Sequence, residues 1–514
     1  MSLAVLASGT LIGLEMIAVR VEVHIAPGLP SFQVVGLPDA GVRESRERVR
    51  SAIVSSGFDF PAARITVNLA PADVPKESGR FDLPIALGVL LASGQISDAT
   101  AVSGERLPVA VQDFVFAGEL SLTGAVVPSG AALAFALGVQ RHYAERILFY
   151  PWLSAKQAAH IPQLKVVGVS TLTETVALLS GQQTMQFAQP APMTERAAST
   201  SCLCMSEVYG QQQARFALEL AASGGHSLLM SGPPGVGKSM LAQRLPTLLP
   251  PLRTQQQLEV AVLKQLSGNA TDGLFTEQPP FRAPHHSCTM AAMVGGGRQL
   301  RPGEVTLAHH GVLFMDELPE FDRRVLESLR EPLETGEVVI SRANQRGCFP
   351  ARFQLIAAMN PCPCGYFGHP KIACRCTPEK IDRYRAKLSG PLLDRIDLYL
   401  VLPFEETFPT SHVAVEDSFT IRQRVQRCQQ RQYQRQGMLN ASLQGEALDR
   451  YAALQPEALQ LMENAMRKWA WSVRVVQRLR RVARTIADMQ QSEHITAEHV
   501  ALAMQFRDQS GLKY

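Results

Sequence analysis

Residues 232–239 read GPPGVGKS and meet the spacing G-x-x-x-x-G-K-[ST] without a mismatch. Glycines at this spacing let the backbone curl its N–H groups around phosphate oxygens. A helix starting at the end of the loop adds the partial positive charge of its N-terminus. In such a loop Gly232, Pro233, Pro234, Gly235, Val236 and Gly237 form a cradle, Lys238 reaches the outer phosphates of a nucleotide, and Ser239 holds Mg2+. The apolar run 226–230 before the loop has the length of a buried strand, and 240–245 after it has helical spacing. Strand, glycine loop and helix form the context that separates this motif from a chance glycine turn.

Further along, the apolar run 312–315 ends in Asp316-Glu317. A carboxylate at a strand end suits the Mg2+ shell, which Asp316 would share with Ser239. Glu317 is placed to polarise an attacking water as general base. A DE pair after an apolar run is a weak signal alone and a strong one behind a phosphate loop in the same domain. Asn360 ends the next apolar run, 354–359, and Arg395 lies in LLDRID at 392–397. A planar, always charged guanidinium suits a phosphoryl transition state, so Arg395 is the candidate arginine finger, reaching a nucleotide on a neighbouring subunit. With these motifs, 207–401 resembles the core of the AAA+ class of ring ATPases. The resemblance implies ATP as the nucleotide and places Gln211, at the end of VYGQ (208–211), beside the adenine. It makes Asn360 the first sensor of the γ-phosphate. It makes Arg474 the second, in the first turn of a helix that Ser472 caps. On residue type alone, Asn360 also reads as a turn cap and Arg474 as part of a solvated face.

Cys362-Pro363-Cys364 and Cys374-Arg375-Cys376 are two C-x-C pairs within an insertion at 362–376. Four thiolates can enclose Zn2+ tetrahedrally in a closed, structural site. C-x-C is tighter than the usual knuckle; His369 offers a substitute ligand, and free or redox-active thiols are the alternative. His285-His286 and His309-His310 lack ligand-like spacing and read as loop or core residues.

The elements that must carry these residues fill 514 residues, enough for about three domains. A formal charge of +4 is too small to argue for nucleic acid, so any such contact must be local. Nine cysteines in a long chain do not form a secreted disulfide framework. Residues 1–19 are apolar but lack a basic start and include Glu15, which predicts a buried strand pair and not a signal peptide. No uncharged apolar run of membrane-spanning length follows, so the expectation is a cytoplasmic protein without a membrane partner. Strands are expected at 21–25, 64–69 and 114–120, and helices at 40–56, 81–93 and 129–138. Residues 1–180 thus form an α/β or α+β domain. Residues 181–206, rich in Gln, Ala, Pro, Ser and Thr, read as a linker. Residues 402–514 form a helical lid, in which Arg424, Arg427, Arg431 and Arg435 recur at helical spacing like a solvent face.

In the N-terminal domain, PKESGRFD (75–82) and GELSLTG (118–124) with VPSG (127–130) resemble the proteolytic domain of Lon-type proteases. That family activates a serine with a lysine. On an ungapped match those positions hold Arg80 and Leu133, with Ser78 and Lys76 out of register. The resemblance therefore implies a Lon-protease-like fold whose dyad is absent. The fold class expected for the whole chain is α/β: this domain, an AAA+ parallel-sheet core with a phosphate loop, and a helical C-terminal lid.

FQVVGLP (32–38), VRESRERV (42–49), RAPHH (282–286), VGGG (294–297), RPGE (301–304), LSGPLLDRID (388–397) and VARTIAD (482–488) make the chain resemble the YifB/ComM family of magnesium-chelatase-like AAA+ ATPases over almost its whole length. The ComM branch implies a hexameric ring helicase that drives branch migration in natural transformation, acting on single-stranded and branched DNA, with recombination proteins as further partners. The magnesium-chelatase-like clade implies that two insertions face the ring channel. They are GGGRQLRPG (295–303), with Arg298 and Arg301, and a hairpin of strands 338–340 and 348–353, with Arg342, Arg346 and Arg352 on or near it. Arginines there would contact phosphates with little sequence preference, although exposed loops carry such charges without any partner. The rival readings are the ATPase subunit of a metal chelatase and a protein unfoldase or Lon-like protease partner.

Overall fold

The computed structural model describes residues 2–37, 39–76, 79–96, 99–100, 109–128, 130–190, 203–268, 274–297, 300–342, 345–404 and 416–507. Ser78, Ser129, Cys202, Arg298 and most of the second half of the expected linker lie outside them. The chain divides into two compact units, with Glu195 opening the second; Ala261–Leu274 and Ser341–Gly347 are grouped with the first.

The first unit is built on a seven-stranded mixed sheet. Strands β1 (Ser2–Ile12) and β2 (Glu15–Ala26) pair antiparallel in a hairpin closed at Ile12↔Glu15, where Gly13 takes a positive φ of 61°. This is the strand pair expected of the apolar N-terminus. Then come β3 (Ser31–Val35), helix α1 (Ala40–Ser55), β4 (Arg64–Ala70), helix α2 (Asp82–Ala92), β5 (Phe114–Phe116), helix α3 (Ala132–His142), β6 (Ile147–Pro151) and β7 (Val166–Val169). The sheet order is β7-β6-β5-β1-β2-β4-β3. The expected strand 114–120 is two pieces, β5 and Glu119–Leu120, because Gly118 breaks the ladder to donate to the Arg80 carbonyl. Alternating Val19, Val21 and Val23 of β2 enter a core shared with Val42, Val49 and Ile53 of α1. The linker does not begin at Gly181. Phe187 bridges Val167, and Ala188 N–H donates to Val166 O, so this stretch covers the open backbone edge of β7.

The charged face of α1 has a specific use. Asp82, fully buried at the start of α2, accepts from Ser45 Oγ, from Arg48 Nε at 2.7 Å and from the Leu120 N–H at 3.2 Å. Burial pushes its carboxyl above the usual range, against the pull of these donors. Of the positions the Lon comparison singles out, Arg80 is buried with its guanidinium over the Phe135 ring at 5.1 Å, and Leu133 is buried. Lys76 is wholly buried and donates to the Pro71 carbonyl. No described residue at these positions offers an activated nucleophile. Arg48→Ala should leave the Asp82 carboxylate buried without its cation and cost about 3–5 kcal/mol. Chemical denaturation followed in the N-terminal unit measures this.

The second unit is organised on a five-stranded parallel sheet. In chain order it contains α4 (Gln212–Gly224), β8 (Leu228–Ser231), α5 (Lys238–Leu248), the first half, to Val260, of α6 (Thr254–Leu266), β9 (Phe281–Arg282), β10 (Val312–Met315), β11 (Gln354–Met359), β12 (Leu398–Val401), and helices α7 (Ser418–Gln436), α8 (Pro456–Trp469), α9 (Val473–Met489) and α10 (Ala497–Gln505). Sheet order is β9-β10-β11-β8-β12. One apolar core joins the sheet and α4 to the C-terminal helices through Val425, Leu479, Ile486, Val500 and Phe506. A buried polar set crosses the same boundary: His226 Nε2 meets Thr485 Oγ1 at 2.8 Å, and its Nδ1 lies 3.2 Å from Asp397. The arginine stripe of α7 is not simply a solvent face. Arg424 forks onto Glu219 and Glu416, and Arg435 pairs with the buried Asp488. These arginines bridge elements that only the fold brings together. The hairpin expected from strands 338–340 and 348–353 has strands Glu337–Arg342 and Gln345–Pro350, so both begin earlier than expected and 351–353 lie beyond the second. Among the described residues no helix is long and apolar enough to cross a membrane.

Candidate nucleotide site and cysteine cluster

Parallel pairing sets Ser231 beside Met359 and Met315 beside Ala357. The residues that follow β8, β10 and β11 therefore emerge at one edge of the sheet. After β8 the chain turns through Gly235 (φ +83°) and Gly237 (φ +89°), left-handed positions that suit glycine, and enters α5 at Lys238. Lys238 Nζ donates to the carbonyls of Gly232 at 2.7 Å and Pro233 at 2.9 Å and to Asn360 Oδ1 at 3.1 Å. Burial pushes its ammonium pKa down, while Asp316 and Glu317 pull it up. Ser239 Oγ donates to Asp316 Oδ2 at 2.6 Å.

Glu317 begins the turn after β10 with φ +52°, a backbone conformation unusual for a residue with a side chain. Its carboxylate is half exposed and lies 3.2 Å from His286 Nδ1. His286, whose ring lies tilted against that of His285 with centroids 4.0 Å apart, carried no spacing signal and was not foreseen as a neighbour of Glu317. The loop 232–239, Asp316, Glu317 and Asn360 thus converge.

Arg395 has other partners among the described residues. Arg395 Nη2 pairs with Glu334 and Nη1 donates to Pro391 O at 2.7 Å. Arg474 is exposed in the first turn of α9, behind the Ser472 cap. The hydrogen bond from Arg395 holds the Glu334 carboxyl below its usual range, and the charge of Arg474 adds to this, so both arginines belong to one basic group. Gln211 immediately precedes α4, with φ +48°.

Among the proposed polymer contacts, Arg301 is exposed on a two-residue strand paired with Gly295–Gly296. Arg342 and Arg346 lie on the hairpin strands, and Arg298 lies outside the described residues. Arg352 is exposed, while its backbone bonds the His309-His310 turn at both ends: its N–H donates to His309 Nδ1 at 3.0 Å and its carbonyl accepts from the His310 N–H at 2.8 Å.

The cysteine turns close on each other. Sγ separations are 3.4 Å for Cys362–Cys364, 3.6 Å for Cys362–Cys374 and 3.5 Å for Cys364–Cys374, and all four sulfurs lie within 4.8 Å. A tetrahedron with metal–sulfur bonds of about 2.3 Å has edges near 3.8 Å, so the set fits Zn2+. Backbone N–H groups of Tyr366 and Arg375 pull the Cys364 thiol down to about 6, the direction a thiolate ligand needs. Cys374 accepts from the Cys376 N–H, which favours its thiolate, but its sulfur neighbours raise it to about 12 overall, and a divalent cation would reverse this.

A second cluster has a different character. Glu259 on α6 accepts from His309 Nε2 at 3.2 Å and His310 Nε2 at 2.6 Å. Because His309 Nδ1 already accepts the Arg352 N–H, its proton sits on Nε2, which is closed to a metal. The two imidazoles hold the Glu259 carboxyl well below its usual range. A depressed carboxyl contributes stability above its unfolded pKa, near 4.5, and loses it as pH falls below that. Glu259→Gln should lower the thermal midpoint by a few degrees at pH 7 and by less at pH 4, as read from paired melting curves.

Three family models match the chain: magnesium chelatase, subunit ChlI, over residues 204–408; subunit ChlI of Mg-chelatase over 21–151; and the ChlI C-terminal region over 415–507. The chain is 42% identical over 511 residues to the uncharacterized protein YifB of Salmonella typhimurium, covering 99% of this chain and 97% of that protein. It is 42% identical over 512 residues to the competence protein ComM of Haemophilus influenzae, covering 99% and 98%. A more distant match is the DNA replication licensing factor Mcm6 of Anopheles gambiae, 23% identical over 224 residues, 41% of this chain and 26% of that protein.

Proposed function

The chain belongs to the YifB/ComM family of magnesium-chelatase-like AAA+ proteins, and from that premise we propose that it is an ATP-driven ring helicase that moves DNA junctions during recombination. The observation that carries the motor reading is the convergence of Lys238, Ser239, Asp316, Glu317 and Asn360 on one sheet edge. In this reading the loop N–H groups and Lys238 bind the phosphates of ATP, with Gln211 at the adenine end. Ser239 and Asp316 hold Mg2+, which neutralises phosphate charge when bound. Glu317 leaves His286 to polarise water, and Asn360 orients that water against the γ-phosphate. Arg395, released from Glu334, reaches the nucleotide of a neighbouring subunit in a hexameric ring, and Arg474 supports it from the lid. Such exchange of partners suits a contact formed only when subunits assemble.

The DNA reading draws support from the competence protein and the replication licensing factor among the relatives, and from the arginines at 298, 301, 342, 346 and 352. The strand engaged is single-stranded or branched DNA in the cytoplasm, alongside recombination proteins, and Zn2+ occupies Cys362, Cys364, Cys374 and Cys376 as a structural ion. The family models, described as chelatase subunits, favour a second reading as the motor of a metal chelatase.

Glu317→Gln should bind ATP and assemble while turnover falls by about 100-fold or more, the scale of a lost general base; normal turnover in that variant removes Glu317 from the role. ATPase rate with and without single-stranded and branched DNA tests the substrate. Stimulation that declines steeply with salt is expected. Absence of both DNA binding and stimulation sinks the helicase reading and favours a protein-remodelling or chelatase motor.

A further inference from the structure

We propose that the turn from Cys362 to Gly365 is a seat for the phosphate loop, so that closure of the cysteine cluster sets nucleotide affinity. Gly365 takes φ +84° and its N–H donates to Cys362 O at 3.0 Å. A Cβ placed on Gly365 would lie 2.7 Å from Pro234 Cδ, 2.8 Å from Pro234 Cγ and 3.9 Å from Asn360 Cγ. The backbone of the cysteine turn therefore lies directly against the second proline of GPPGVGKS, at a distance only glycine permits.

The same turn carries a second connection. Asn360, which accepts from Lys238 Nζ, is separated from Cys362 only by Pro361, whose carbonyl accepts from Arg385 Nη2 at 3.4 Å. The outer wall of the loop and the side-chain acceptor of its lysine thus rest on one short stretch. Beside it lies a cavity of about 400 Å3, bordered by Gly232, Pro233, Phe367, His369, Tyr399 and Phe404. Gly232 at the cavity edge packs on Leu402, where a Cβ would lie 2.7 Å from the Leu402 carbonyl oxygen, whereas Pro234, further along the loop, is exposed and meets the turn at Gly365. Sulfurs 3.4–3.6 Å apart cross-link the turn to the Cys374–Cys376 stretch when they share a cation, and without one that cross-link is absent.

The role of the cluster rests on the zinc reading, whereas the contact of Gly365 with Pro234 does not, and the test separates the two. Gly368 is the internal control: it lies in the same insertion at φ +76°, and a Cβ there meets nothing within 4 Å. Three full-length variants, Gly365→Ala, Gly368→Ala and Cys364→Ser, are compared with the parent for zinc content by atomic emission and for affinity towards a fluorescent ATP analogue. Gly365→Ala should keep its zinc and weaken the analogue by about tenfold, while Gly368→Ala stays within about twofold of the parent. Cys364→Ser should lose zinc and weaken the analogue to the same degree, with circular dichroism unchanged. Equal affinity in the two glycine variants overturns the seat. Full affinity in a zinc-free Cys364→Ser protein overturns the link to the cluster. A parent that holds no zinc and takes up none removes the zinc reading and with it the cluster's role, and leaves the glycine comparison to decide the seat.

Discussion

The arrangement of this molecule depends on the parallel register of β8, β10 and β11. Parallel strands all end on the same side, so a lysine after one, a carboxylate pair after another and an asparagine after the third meet without any of them being near in sequence. The strands themselves are almost entirely buried, and their apolar runs serve pairing and packing alone. Chemistry is confined to the residues immediately beyond. The Lys238–Asn360 and Ser239–Asp316 hydrogen bonds are a consequence of that register, and a slip of one residue would break both.

Around this edge the fold adds restraints of different kinds. The C-terminal helices share a core with α4 and the sheet, and the buried His226 joins Asp397, at the start of β12, to Thr485 on α9. Buried polar groups are costly unless each has its partner, so this set specifies one packing of the helices on the sheet. Glu259 does a similar service at the other end of β10, holding the His309-His310 turn that also bonds Arg352 at the foot of the hairpin. Strand, hairpin and helix α6 are thereby joined at a single turn.

Much of this was legible in the chain. The loop, its strand and helix, the carboxylate pair, Asn360 and the cysteine spacing are local patterns, and local patterns survive in sequence because the geometry they need is set by neighbours within a few residues. The N-terminal strand pair and the helices followed from periodicity in the same way. What was misread involves distant partners. The arginines of α7 look like a solvent stripe until Glu219 and Asp488 arrive from other elements. The linker looks unstructured until the edge of β7 offers backbone groups to 187–188. The pairing of His286 with Glu317 joins residues 31 positions apart with no periodic relation.

By itself the sequence determined that a nucleotide-phosphate loop, a strand-end carboxylate pair and a four-thiol cluster are present, because each is written in adjacent or closely spaced residues. Only the tertiary structure decided how they are joined. It placed Gly365 against Pro234, gave Asn360 to Lys238, set Arg395 on Glu334, and showed that the histidine pair at 309–310 serves a carboxylate instead of an open metal site. Those outcomes depend on strand register and helix packing. Both are settled by burial summed over the whole unit, which no short stretch of residues encodes.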